Sequence, residues 1–275
     1  LISAAMVLLM ACGQSAEPQI KNKSSDKNNQ ESISKNVNNP EIELCKLTMG
    51  WEPWAPYHYE DQNREVMGLD IDMMEILQKE TGCEISYQKG DWKTLLLALK
   101  NGKIDILTGV SINDKRKEYA RFSDGYRSES FRLFVRAGEI SKFSGNNMKA
   151  FIDNGFRLGI TMDYLYSDEI TELQDDPANS EKIIAVSSGL INFAKLLEET
   201  IDGFLEDPIV GQSSIRRQGI EKQIEMHPYE IITGDVHLMF SKLSVEEKII
   251  VRFNQALAKI RDDGQHQKLM DKYVN

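Results

Sequence analysis

The strings that usually hold phosphate, metal or an activated nucleophile are missing from this chain. It has no GxGxxG, no P-loop and no GxSxG. Its four histidines, His58, His227, His237 and His266, never fall into an HxxxH or HExxH spacing. Dehydrogenase, kinase, serine-hydrolase and zinc-protease readings therefore lose their usual signatures, and no cofactor is expected. Positive charge is also short. Against 43 Asp and Glu stand 33 Lys and Arg, a formal net charge of −10. That balance turns nucleic acid away and suits a soluble protein that meets small molecules. Cysteine is sparse, with three in 275 residues.

The apolar start, "LISAAMVLLMACG", is too short for a membrane span of about 20 residues. It reads as the end of a secretory signal without its basic region. "LMAC" resembles a bacterial lipobox, with Leu9, Ala11 and the lipid-accepting Cys12 in register; the plainer alternative is an ordinary signal with a chance cysteine. Residues 1–12 are assigned to this segment. Residues 13–43 are rich in Asn, Ser, Lys and Gln. They cannot offset their ordering entropy by burial, and they read as a tether reaching on the order of 30 Å.

The other two cysteines, Cys45 and Cys83, each open a strand-like segment. In an exported protein that invites a disulfide, the alternative being two buried thiols. From Leu44 onward strands and helices alternate. "KLTMGW", "EISYQ" and "KIDILTG" are strand-like; "DIDMMEILQKETG" and "WKTLLLALKNG" are helical, each closed by glycine. A second α/β set follows Gly138, with helices over "DYLYSDEITEL", "GLINFAKLLEET" and "PIVGQSSIRRQG". The pattern predicts two lobes, each a mostly parallel sheet flanked by helices, with a ligand cleft at the carboxyl ends of the strands.

"TGVSINDKRKEYARFSDGY" carries the densest polar chemistry. It leads from a strand into a helix near Asn113, where free N–H groups and the fork of Arg116 would suit a carboxylate. Thr108 and Ser111 add hydroxyls, and Gly109 permits close approach. The plainer reading makes Asn113 or Asp114 an N-cap and leaves Arg116 on a solvated face. Trp54 and Trp92 lie in strand-end loops, where they either flank a ligand side chain or pack at a lobe edge. Asp207 stands before Pro208, as an N-cap or as a carboxylate awaiting an ammonium. Arg116 and Asp207 would then grip the two ends of a zwitterion.

"WEPWAPYHYED", "MGLDIDMMEIL", "GDWKTLLLALKNGKIDILTGVSINDKRKEYARFSDGY", "TIDGFLEDPIVG" and "FNQALAKIRDDGQHQKLMDKY" occur in order from about Leu44 to Asn275. Together they resemble the family 3 extracellular solute-binding proteins, the amino-acid-binding components of ABC importers. The resemblance implies a type II periplasmic-binding-protein fold, α/β and two-lobed. Lobe 1 would span 44–136 and 238–275, and lobe 2 would span 137–237. Two hinge crossings would lie near Val135–Glu139 and Gly234–Met239. It implies Arg116 for the ligand carboxylate; Thr108, Gly109 and Ser111 for its polar end; Asp207 for the ammonium; Trp54 and Trp92 for the side chain.

Asn113 stands where the family usually has Thr, and Asp163-Tyr164 where it commonly has Gly-Thr. Asp163 disfavours an acidic ligand. Trp51, where binders of cationic amino acids often carry an acid, weakens a lysine or arginine reading. The resemblance further implies an extracytoplasmic monomer with a small-molecule ligand, an ABC permease as partner and no catalysis; with the lipobox-like Cys12, the expectation is a lipid-anchored receptor at the periplasmic or cell-surface face of a bacterial membrane. Two rivals share the fold. One is a cyclohexadienyl or arogenate dehydratase with Glu52 or Asp163 as acid; the other is a ligand sensor for a separate signalling protein.

Overall fold

Cys45 and Cys83 face each other in the parallel pairing of β1 (Cys45–Trp51) with β4 (Cys83–Lys89). Their Cα atoms are 4.6 Å apart and a disulfide joins them. These strands belong to a computed structural model that describes residues 45–274, except Ser144, Asn146 and the side chain of Val274. The signal segment, Cys12 and the tether lie outside the described residues.

Short strands β2 (Tyr59–Glu60) and β3 (Val66–Met67) form a hairpin after β1. Helix α1 (Leu69–Thr81) ends at Gly82, whose φ of 68° is the left-handed conformation glycine adopts at little cost. Helix α2 (Trp92–Lys100) starts where the Asp91 side chain accepts the Thr94 N–H. Strand β5 (Ile106–Val110), helix α3 (Asp114–Tyr119) and strands β6 (Ala120–Phe122) and β7 (Arg127–Arg136) follow. Beyond them lie α4 (Met148–Asp153), β8 (Leu158–Thr161), α5 (Asp168–Asp175), β9 (Ile183–Val186), α6 (Gly189–Leu197), β10 (Gly203–Glu206) and α7 (Pro208–Gln218). The chain then runs through the long β11 (Ile224–Ser241) to α8 (Glu247–Asp262) and α9 (Gln265–Val274).

The strand order is β4-β1-β5-β11-β7-β10-β8-β9, with β6 also on β11. β4-β1-β5 and β10-β8-β9 are parallel. Between them β11 and β7 run antiparallel to their neighbours and to each other. Each parallel set carries its own core. Met49, Leu77, Ile106 and Phe253 are buried in one, and Leu133, Ile152, Leu158 and Ile160 in the other.

Core membership changes between Tyr126 and Phe131 on the way out and between Ile231 and Val236 on the way back. The outward crossing thus precedes the Val135–Glu139 position expected from the sequence. Phe131, Leu133 and Val135 already pack in the second core, because β7 is one continuous strand that pairs with β10 over Arg132–Val135. The two crossing segments pair with each other, Ser128 opposite Asp235 and Ser130 opposite Ile232. The helix expected from Asp163 starts only at Asp168, capped by Ser167, after a turn at residues 162–163 and an irregular stretch over 164–167.

Candidate functional site

Residues at or beyond the carboxyl ends of β1, β4, β5 and β8 line one cleft. All three tryptophans, Trp51, Trp54 and Trp92, contribute to a cavity of about 30 Å³. Thr108, Gly109, Ser111, Arg116 and Tyr164 line it too. The side chains of Asn113, Asp163 and Asp207 are outside that lining.

Arg116 is 5 % exposed. Its Nη1 donates to the Ser111 carbonyl at 2.8 Å and its Nη2 to the Asp163 carbonyl at 2.7 Å. The guanidinium lies 5.7 Å from the Trp92 ring. It forms no ion pair among the described residues; burial works against its charge, and the carboxylates of Glu129 and Asp163 favour it from beyond ion-pair distance. Asn113 serves the helix instead. Its Oδ1 accepts the Arg116 backbone N–H at 2.7 Å and starts α3.

Gly109 has a φ of 66°, and a Cβ there would stand 3.0 Å from Arg127 Nη2. Both the conformation and the close approach require glycine. Its N–H donates to the Tyr126 hydroxyl at 2.8 Å. Thr108 Oγ1 lies 2.7 Å from His58 Nε2, which is 3.2 Å from Asp70 Oδ2. Ser111 Oγ donates to Glu129 Oε2 at 3.2 Å.

Asp207 caps α7, accepting the N–H groups of Ile209 and Val210 at 2.8 and 3.0 Å. Its other oxygen accepts from the Tyr57 hydroxyl at 3.3 Å. Asp163 offers its backbone carbonyl to Arg116 and to Trp92, and its carboxylate favours the Arg116 charge. Its φ of 62° is the left-handed region, which Asp tolerates better than most residues. Tyr164 lies edge-on to Trp54 and Trp92, with ring centroids 6.3 and 6.0 Å apart, and its hydroxyl donates to Glu52 Oε1 at 2.8 Å.

Three acids complete the site. Glu52 and Glu129 line the cavity, and Glu206 accepts from Trp54 Nε1 at 3.0 Å. Burial pushes Glu52 and Glu129 up to about 7 and Glu206 up to about 8. Beneath Gly109 sits Arg127, 3.9 Å from the Tyr57 ring centre and 3.9 Å from Asp70 Oδ1. Burial works against the charge of Asp70, but the His58 hydrogen bond and Arg127 hold its carboxyl below the usual range.

Sequence reasoning misses Glu129, Glu206 and Arg127. A signal for two of them exists: in "RSESFRLFV" Arg127 and Glu129 share the buried face of Phe131, Leu133 and Val135. Glu206 has no such signal, because β10 is buried on both faces.

The sequence model of the bacterial extracellular solute-binding proteins, family 3, matches residues 47–275. A probable histidine-binding protein of Neisseria gonorrhoeae is 26% identical over 221 residues, covering 80% of this chain and 79% of that protein. Among solved structures, an ancestral arginine-binding protein bound to arginine superposes with a TM-score of 0.73 at 21% identity, over 84% of this chain and 98% of that one. A histidine kinase sensor domain with similarity to periplasmic binding proteins gives 0.70 at 16% identity, over 85% and 96%.

Proposed function

Because the chain belongs to the bacterial extracellular solute-binding proteins of family 3, we propose that it binds an amino acid or a related small zwitterion in the cleft and delivers it to an ABC importer. The observation that carries this reading is Arg116, a buried guanidinium on the cavity wall with no carboxylate within ion-pair distance among the described residues. A ligand carboxylate would supply the missing charge through charge-assisted bonds. Thr108, Gly109 and Ser111 shape the wall beside it, and Trp54 and Trp92 flank the side chain. We assign the ligand ammonium to Glu129, which lines the same cavity. An ammonium there would draw the proton off a carboxyl that burial otherwise protects. Asp207 is left to hold the start of α7, and Asn113 that of α3.

Lipid attachment at Cys12, an extracytoplasmic location, a permease partner and a monomeric state belong to the same proposal. Among the described residues no helix is long and apolar enough to cross a membrane. The relatives named above are binding or sensor proteins, and the reading is that of a receptor without catalysis. One observation favours a second reading: Glu52, pushed up to about 7, is an acid on the cavity wall. Turnover of prephenate or arogenate would establish a dehydratase. A thermal-shift screen against amino acids and small carboxylates tests the receptor. A ligand at 1,000 times its Kd adds about 4 kcal/mol to stability, and a flat response to every zwitterion would end the amino-acid reading.

A further inference from the structure

The cavity of about 30 Å³ has room for a few water molecules, against about 300 Å³ or more in a typical small-molecule site. The rest of the cleft is occupied by the chain itself. The carbonyl oxygen of Asp163 receives Arg116 Nη2 at 2.7 Å and Trp92 Nε1 at 3.3 Å. The next side chain, Tyr164, sets its ring at 83° to Trp54 and 80° to Trp92. Its hydroxyl then reaches Glu52 Oε1 at 2.8 Å. Two consecutive residues therefore give the guanidinium an oxygen, the indoles a flat ring and the buried carboxyl a donor.

We propose that Asp163-Tyr164 is an internal surrogate for the ligand. It satisfies the binding groups when no ligand is present, and a ligand must displace it to bind. The inference rests on the reading of this cleft as the ligand site, and it adds which ligands succeed. A free carboxylate outcompetes a carbonyl at Arg116, because a bond between two charged groups is the stronger. Displacing the phenol removes its edge-on ring contact with Trp54 and Trp92 and strips Glu52 of its donor, which is costly for a buried group. The ligand that compensates is an α-amino carboxylate with a flat side chain ending in an N–H or O–H. A small aliphatic side chain restores neither ring contact. An acidic one brings a second carboxyl to Glu52.

The surrogate also weakens apparent affinity in proportion to the fraction of molecules it occupies. Its removal should thus tighten binding, the opposite of what loss of a ligand contact does. The experiment is calorimetric titration of the wild type, Tyr164→Phe and Tyr164→Ala with L-tyrosine, L-histidine, L-alanine and L-glutamate. Thermal midpoints of the free proteins check folding. The proposal expects L-tyrosine or L-histidine to bind the wild type more tightly than L-alanine or L-glutamate does. It expects Tyr164→Phe to tighten that binding a few-fold and Tyr164→Ala by about tenfold or more. If Tyr164→Ala does not fold, Tyr164→Phe carries the test, since it removes only the hydroxyl. Equal or weaker binding by the folded variants would overturn the surrogate while leaving the amino-acid reading intact. A preference for L-alanine or L-glutamate would overturn the assignment of the ligand class. Absence of binding by all three proteins would overturn both this inference and the function it rests on.

Discussion

Arg116 and Asp163 meet across the cleft, the guanidinium Nη2 of one 2.7 Å from the carbonyl oxygen of the other. Arg116 comes from α3, beside the first parallel set, and Asp163 from the turn after β8 in the second. The contact joins the two halves at the point where a ligand carboxylate is proposed to bind.

Replacing Arg116 by alanine should therefore abolish ligand binding and leave the fold in place. Truncating one partner of a buried charge-assisted pair costs about 2–5 kcal/mol, roughly 30-fold to several thousand-fold in affinity. Arg116→Lys keeps the charge but loses the fork, and should fall between the two. Calorimetric titration with the ligand found by screening checks the order wild type, lysine, alanine; wild-type affinity in Arg116→Ala would remove the carboxylate assignment.

Gly109→Ala should damage binding and stability together. The new methyl meets Arg127 Nη2 at 3.0 Å, and the φ of 66° is strained for alanine. The conformational part alone is about 1–2 kcal/mol. Chemical denaturation reads the stability loss, and unchanged stability would show that this turn relaxes freely.

Reduction of the Cys45–Cys83 disulfide, which spans 38 residues, should destabilise the protein by about 4 kcal/mol on the chain-entropy account. For a domain of this size that is a fall of roughly 10 °C in Tm. Melting Cys45→Ser/Cys83→Ser beside the wild type tests it, and equal midpoints would contradict it.

Stability should fall as pH rises from mildly acidic to mildly alkaline. Glu52 and Glu129 titrate at about 7 and Glu206 at about 8 in the folded chain, against an ordinary value of 4.5. The folded state thus keeps protons that the unfolded state releases above about pH 4.5. Their contribution is full below that value and is lost as pH rises through 7 and 8. Asp70, held low, acts in the opposite sense and loses its contribution in acid. Thermal melts of the wild type and Glu206→Gln from pH 5 to 8.5 should show a downward slope that the variant flattens, on the order of 1 kcal/mol per pH unit for one group. A wild-type midpoint that rises toward pH 8 would contradict this.

Much of this fold is legible in the sequence because its helices are amphipathic and punctuated. Gly82 after α1 and Asp207-Pro208 before α7 mark ends that need no tertiary information. The paired cysteines at two strand starts carry the β1-β4 register. The outward crossing leaves no such mark. β7 continues from one core into the other without a break, and no glycine or proline punctuates the passage. At the site, the sequence brings Arg116, Trp54, Trp92, Thr108, Gly109, Ser111 and Tyr164 to one cavity. What it conceals is division of labour. Asp163, at a positive φ, meets Arg116 and Trp92 through its carbonyl, and Asp207 gives one carboxylate oxygen to the start of α7. Local sequence does not reveal backbone sign or which oxygen is already engaged.

The central claim is that a zwitterion is held through its carboxylate at Arg116. The most direct measurement is a pair of calorimetric titrations of the wild-type protein, one with the best-binding amino acid and one with the amine left when its carboxylate is removed. The account predicts saturable binding of the amino acid and an affinity for the amine lower by about 30-fold or more. Equal affinity for the two would contradict it.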